Sequence, residues 1–156
     1  MSGFAGVLIA ISCLLFGNLP VVAQGQSLKF NVLVLDALDG KPEANVEIGY
    51  FCEGKGWNPQ TSVKTGLNGK AEVPYPCEGG TRIEIRLQVP GGKKEECGGV
   101  GPLDISYVLS HGFLSPPNGA GGLWCPTRQS RKLSAVPGQI TVFIKKPTWW
   151  QSHVAG

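Results

Sequence analysis

Glycine and proline interrupt this chain too often for any long helix to run through it. Of 156 residues, 23 are Gly and 12 are Pro, nearly double ordinary usage. Each would weaken or break a helix interior. A helical bundle is therefore excluded. Wholesale disorder is excluded too, because 42% of the residues are hydrophobic and only 16% are charged. The formal charge of +3 is too small for a nucleic-acid binder driven by charge. What remains is one β-rich, loop-rich domain.

The first 23 residues stand apart from that domain. No charged side chain precedes Gln24, and Phe4 to Phe16 is a nearly continuous apolar run broken by Asn18 and Pro20. Val21-Val22-Ala23 offers the small residues that precede a signal-peptidase cut. Residues 1–23 are expected to be a secretory signal peptide, and the product to be secreted, extracellular or periplasmic. The competing reading is a retained anchor, but Gly17, Asn18 and Pro20 interrupt the run before it reaches the ~20 residues needed to span a bilayer. After cleavage no stable membrane span is expected.

Residues 24–156 are expected to form a single domain. They hold four cysteines, Cys52, Cys77, Cys97 and Cys125. An even number in a small exported domain reads as two disulfides. Zinc is disfavoured because no CxxC pair occurs. No cofactor or metal site is expected.

Short β-branched, alternating segments dominate this part. Leu28–Leu35 and Val46–Cys52 read as strands. Thr61–Thr65 and Lys70–Tyr75 read as a hairpin closed by Asn68-Gly69, because Asn-Gly tolerates the positive φ of a tight turn. Thr81–Val89 alternates throughout, with Ile83, Ile85, Leu87 and Val89 on one face. Leu103–Leu109, Arg128–Ala135 and Gln139–Lys145 complete about seven to eight strands, and no amphipathic helix is expected. Such spacing means an all-β sandwich or barrel. Two long loops are expected near 90–102 and 111–126, a region with nine glycines and five prolines. Four cysteines allow three connectivities, which the sequence does not choose between; counting strands up and down places Cys52 and Cys77 at one end, which favours pairing them. Cys97 and Cys125 are then left to tether the two loops.

Residues 28–76 carry a resemblance. Val32 to Ile48 reads Val-Leu-Val-Leu-Asp-Ala-Leu-Asp-Gly-Lys-Pro-Glu-Ala-Asn-Val-Glu-Ile, followed by Thr65-Gly66-Leu67-Asn68-Gly69-Lys70-Ala71. This resembles the prealbumin-like sandwiches, the transthyretin relatives and the carboxypeptidase regulatory-like domains of secreted proteins. The resemblance implies a Greek-key-type β-sandwich and no particular activity. The hydrolase among those relatives needs a His on the first strand and a Tyr-Arg-Gly-Ser tail. Here Leu33 and Val34 stand in the strand, and the tail reads Trp149-Trp150-Gln151-Ser152-His153. No active site is therefore transferred. The intradiol dioxygenases need two Tyr and two His for iron, and His111 and His153 are the only histidines.

Candidate chemistry is sparse. His111 follows Ser110, and Asp104 is the nearest acid, so a small hydrolase is one alternative. Glu95-Glu96 beside Lys93-Lys94 read as a solvated loop, and Asp36 with Asp39 as turn residues rather than a calcium site. Trp57, Trp124, Trp149 and Trp150 are the candidate binding residues, since loop aromatics can stack on a sugar ring. The expected function is a non-enzymatic binding or assembly module acting through loops and strand edges, with a protein partner or self-association at the cell surface. A carbohydrate-binding module is the alternative.

Overall fold

The computed structural model describes residues 28–55, 61–77, 82–89, 95–97, 100–115 and 132–145. They form a mostly β architecture of two sheets and one short helix. The strands are β1 (Lys29–Asp36), β2 (Glu47–Cys52), β3 (Ser62–Lys64), β4 (Lys70–Pro74), β5 (Ile83–Gln88), β6 (Glu95–Cys97), β7 (Phe113–Leu114) and β8 (Gln139–Lys145), with the helix α1 (Ile105–His111) between β6 and β7. One sheet runs β4-β1-β8-β6, with β7 also on β8, and the other runs β3-β2-β5.

Alternation explains the burial. Phe30, Val32 and Val34 of β1 face the same core as Ile48 and Tyr50 of β2, Val73 of β4, Ile83 and Ile85 of β5, and Ile140, Val142 and Ile144 of β8. That core lies between the sheets. β8 departs from alternation because all seven of its side chains are buried. Phe143, on the opposite face from Ile140, Val142 and Ile144, joins Leu35, Ala37 and Cys97 in a smaller cluster. A strand covered on both faces reads as an unbroken apolar run, as Ile140 to Ile144 nearly does.

Several expectations are corrected. Leu103–Leu109 is not a strand. Leu103 makes an isolated bridge to Ile83, and Ile105–His111 is helical, so the chain does contain an amphipathic helix. Asp104 starts it: the carboxylate accepts from the backbone N–H groups of Ser106 and Tyr107, the work of an N-cap. Ile105 and Val108, three apart, are its buried residues, a period too brief to register over seven residues. Gly112, with φ 75° and ψ 175°, ends it. Residues 132–135, the described part of the expected strand Arg128–Ala135, are not in a strand. Conversely, Glu95–Cys97 and Phe113–Leu114 are strands inside segments read as loops, each completing the open edge of β8.

The Asn68-Gly69 turn is present, with Gly69 at φ 71°, but it closes no hairpin. β3 pairs with β2 and β4 pairs with β1, so the turn carries the chain between sheets. Thr65 marks the parting. Its hydroxyl donates to the Glu43 carbonyl at 2.7 Å and accepts from the Val46 N–H at 3.0 Å, holding the end of β3 against the start of β2. Four residues on, Gly69 instead accepts from the N–H of Val34 in β1.

Candidate functional site

Two turns stand at the end of the molecule where β1 finishes, and they share a sequence. Leu38-Asp39-Gly40-Lys41 follows β1, and Leu67-Asn68-Gly69-Lys70 precedes β4. In each, the Asx Oδ1 accepts from the lysine backbone N–H at 3.0 Å. Each glycine is left-handed, φ 74° at Gly40 and 71° at Gly69. In each, the lysine carbonyl closes the loop by accepting an upstream N–H, from Asp36 in the first and Gly66 in the second. These side-chain-to-backbone bonds are Asx turns, which fix a tip without help from the core.

The consequence is a leucine held outward on each tip. Leu38 is 72% exposed and Leu67 92%. Pro42 lies between the turns: it bridges to Leu35, and a Cβ placed on Gly69 would stand 2.9 Å from the Pro42 Cβ. Lys41 forms an ion pair with Asp39 at 2.7 Å, which raises the lysine pKa. Both groups are well exposed, so the pair adds little stability but neutralises the tip. The duplicated Leu-Asx-Gly-Lys string was visible in the sequence. Reading one copy as a turn and the other as a hairpin hid the likeness.

The opposite end carries α1 and the Ser110–His111 pair. The two side chains do meet, Ser110 Oγ to His111 Nδ1 at 2.7 Å. The Ser110 hydroxyl also lies 2.7 Å from the Ser106 carbonyl and 3.2 Å from that of Tyr107. Which side chain donates in the Ser110–His111 contact depends on the imidazole tautomer, and the two helix carbonyls compete with Nδ1 for the one hydroxyl proton. The imidazole stacks on Tyr107 with centroids 4.7 Å apart. Asp104 sits at the other end of the helix. Its Oδ1 accepts from the Ser106 hydroxyl at 2.6 Å and the Ser106 N–H at 2.8 Å, and these bonds hold its pKa below the ordinary carboxylate value. It therefore caps α1 and does not orient His111.

The four tryptophans, Trp57, Trp124, Trp149 and Trp150, lie outside the described residues, as does Cys125. Cys52 and Cys77 are joined in a disulfide, with Cα atoms 5.5 Å apart. Cys97 is also disulfide-bonded. Because Cys52 and Cys77 bind each other, its partner lies outside the described residues. Among the described residues, no group of three or more His, Cys, Asp or Glu is placed to hold a metal ion, and no helix is long and apolar enough to cross a membrane.

Strand edges differ in how they are guarded. On β4, Pro74 has no N–H to offer. Both backbone groups of Lys70 are engaged within its own turn, and Glu72 pairs with Lys29 across the face at 2.7 Å. On β5, the outward N–H and C=O of Ile83 are taken by Leu103. Ile85 and Leu87 point the same way, beyond the reach of that bridge. On the outer face of this sheet Arg86 lies over the Phe51 ring, 5.3 Å from its centroid. Gly49, its cross-strand neighbour, has no side chain to obstruct it. Protein-family models, curated proteins and solved structures were all compared with the chain, and none matches it.

Proposed function

We propose that this protein is an exported, non-enzymatic binding or assembly module that meets a protein partner, or another copy of itself, through the loops at the end of the sheets and through strand edges. The observation that carries this reading is the pair of Leu-Asx-Gly-Lys turns. Two aliphatic side chains are held outward by turns whose own hydrogen bonds fix them, which is how rigid scaffolds present contact residues. The disulfide supports export, since such bonds persist in oxidising compartments.

A Greek-key arrangement of the prealbumin type is supported by the path of the chain. β1 and β4 lie side by side while the intervening β2 and β3 belong to the facing sheet, and β8 runs parallel to β1. The segment that carries the resemblance spans β1 to β4.

Size-exclusion chromatography with light scattering on residues 24–156, together with capture from cell-surface extract, tests the function. Association is expected for the native chain and is expected to be lost in the Leu38→Asp, Leu67→Asp double variant. A monomer at high concentration that captures nothing, or a double variant that associates as the native chain does, contradicts the proposal.

A further inference from the structure

Asn68 and Gly69 form the tip of the turn before β4. In an Asn-Gly pair the asparagine amide is easily lost, because glycine puts no side chain in the way of its own nitrogen. That nitrogen sheds its proton to solvent and attacks the Asn68 Cγ. The new C–N bond closes a succinimide ring, the bond from Cγ to Nδ2 breaks, and ammonia leaves. Water then opens the ring at one of its two carbonyls. One opening gives aspartate, and the other gives isoaspartate, with the main chain rerouted through Cβ. The folded turn opposes the first step. The Gly69 N–H donates to the Gly66 carbonyl at 2.9 Å, and the Asn68 Oδ1 accepts from the Lys70 N–H at 3.0 Å. The Gly69 carbonyl accepts from the Val34 N–H at 2.9 Å. Gly69 is buried against Pro42, where an added Cβ would stand 2.9 Å from the Pro42 Cβ. Ring closure needs the nitrogen free and the side chain turned onto it, so the turn must open first.

We infer that Asn68 is a deamidation site held in check by its own turn, and that only one of its two products releases the turn. The turn after β1 shows what aspartate does at such a tip. Asp39-Gly40-Lys41 is the same tip with a carboxylate already in place. The Asp39 Oδ1 accepts from the Lys41 N–H at 3.0 Å, as Asn68 does from Lys70, and the glycine φ is 74° against 71°. The Asp39 Oδ2 pairs with the Lys41 Nζ at 2.7 Å. The base of that turn is one residue longer, with Gly40 donating to Asp36 where Gly69 donates to Gly66. Aspartate in place of Asn68 therefore keeps the Oδ1 acceptor and adds a negative charge near Lys70. Isoaspartate instead inserts a methylene into the main chain ahead of the Gly69 nitrogen. Gly69 cannot then keep both its bond to Val34 and its fit against Pro42, and Leu67 is no longer held outward. The loss of Leu67 as a contact rests on the binding proposal, whereas the chemistry at Asn68 does not.

Peptide mapping by mass spectrometry tests the inference on the chain with its disulfides intact. The chain is incubated at mildly alkaline pH, folded in buffer and unfolded in guanidinium chloride. Asn118-Gly119, the second Asn-Gly pair of the sequence, is the internal reference in the unfolded state. In guanidinium both pairs are expected to deamidate at similar rates. In buffer Asn68 is expected to react more slowly by on the order of tenfold or more, because the reaction waits on local opening. Equal Asn68 rates in the two states, or an Asn68 that stays intact in guanidinium while Asn118 reacts, overturns the guarded site. The two products at residue 68 are then refolded by dilution, separated by chromatography and compared by thermal unfolding. The aspartate product and the Asn68→Asp variant are expected to unfold at the native midpoint, and the isoaspartate product below it. An Asn68→Asp midpoint well below the native one, or an isoaspartate midpoint equal to it, overturns the assignment of the products. Association of the isoaspartate product is scored separately, so a failure of the binding proposal is not mistaken for a failure of the guarded site.

Discussion

Thr65 is 3% exposed, and its hydroxyl both donates to Glu43 and accepts from Val46. Thr65→Val keeps the shape and leaves the Val46 N–H without that acceptor. An unsatisfied buried polar group costs about 1–3 kcal/mol, so urea unfolding of the variant is expected to show a lower midpoint with an unchanged slope. The glycines make a sharper comparison. Gly69 and Gly138 have nearly equal φ, 71° and 72°. A Cβ on Gly69 would stand 2.7 Å from the Val34 carbonyl oxygen, while one on Gly138 meets nothing within 4 Å. Gly138→Ala therefore carries only the left-handed penalty, of order 1 kcal/mol. Gly69→Ala is expected to lose more than that, because the backbone of β1 must also move. Equal losses in thermal unfolding would show that packing around Gly69 is softer than the contacts imply.

The helix α1 depends on the charge state of Asp104. Hydrogen bonds from the Ser106 hydroxyl and from the Ser106 and Tyr107 N–H groups lower its pKa in the folded chain. A carboxyl with a depressed folded pKa contributes its stability above the unfolded value and loses it as pH falls through the folded one. The helix is thus expected to fray only below the ordinary carboxylate range. Asp104→Asn, which can still accept from the same N–H groups, is expected to remove that acid step. Amide exchange at Val108 and Gly112 across pH 2 to 6 checks this, and an identical acid profile in the variant contradicts it. The same element shows what the sequence left unread. Alternation was legible wherever one face is buried, as in Ile83, Ile85 and Leu87, and each of those strands was located to within one or two residues. It failed at Ile105–His111, where β-branched and aromatic residues suggest a strand and the cap at Asp104 decides for a helix. It failed again at Asn68-Gly69, where local turn chemistry was correct but the partner of each flanking strand is set by distant residues. The short β6 and β7 had no pattern to show, since a two- or three-residue strand is defined by its neighbour, here β8. At Ser110 and His111 the competition of the Ser106 and Tyr107 carbonyls for the hydroxyl proton comes from the helix, which no strand reading supplies.

At the scale of the whole molecule, two sheets share one core, and a covalent tie joins them. The Cys52–Cys77 disulfide links the end of β2 to the segment after β4 across 25 residues. Closing a loop of that size in the unfolded chain stabilises the fold by about 3 kcal/mol. The Cys52→Ala, Cys77→Ala double variant is expected to lose roughly that amount in denaturant unfolding, and a loss near zero would mean the sheets hold without the tie. The Cys52–Cys77 disulfide and the oxidised Cys97 are compatible with a location outside the cytosol, which is part of the proposed account. Non-reducing peptide mapping of the protein collected from its native compartment tests that account most directly. The account predicts an exported polypeptide beginning at Gln24, with the Cys52 and Cys77 peptides linked and no free thiol at Cys97. A cytosolic polypeptide still carrying Met1 and reduced at all three positions would contradict it.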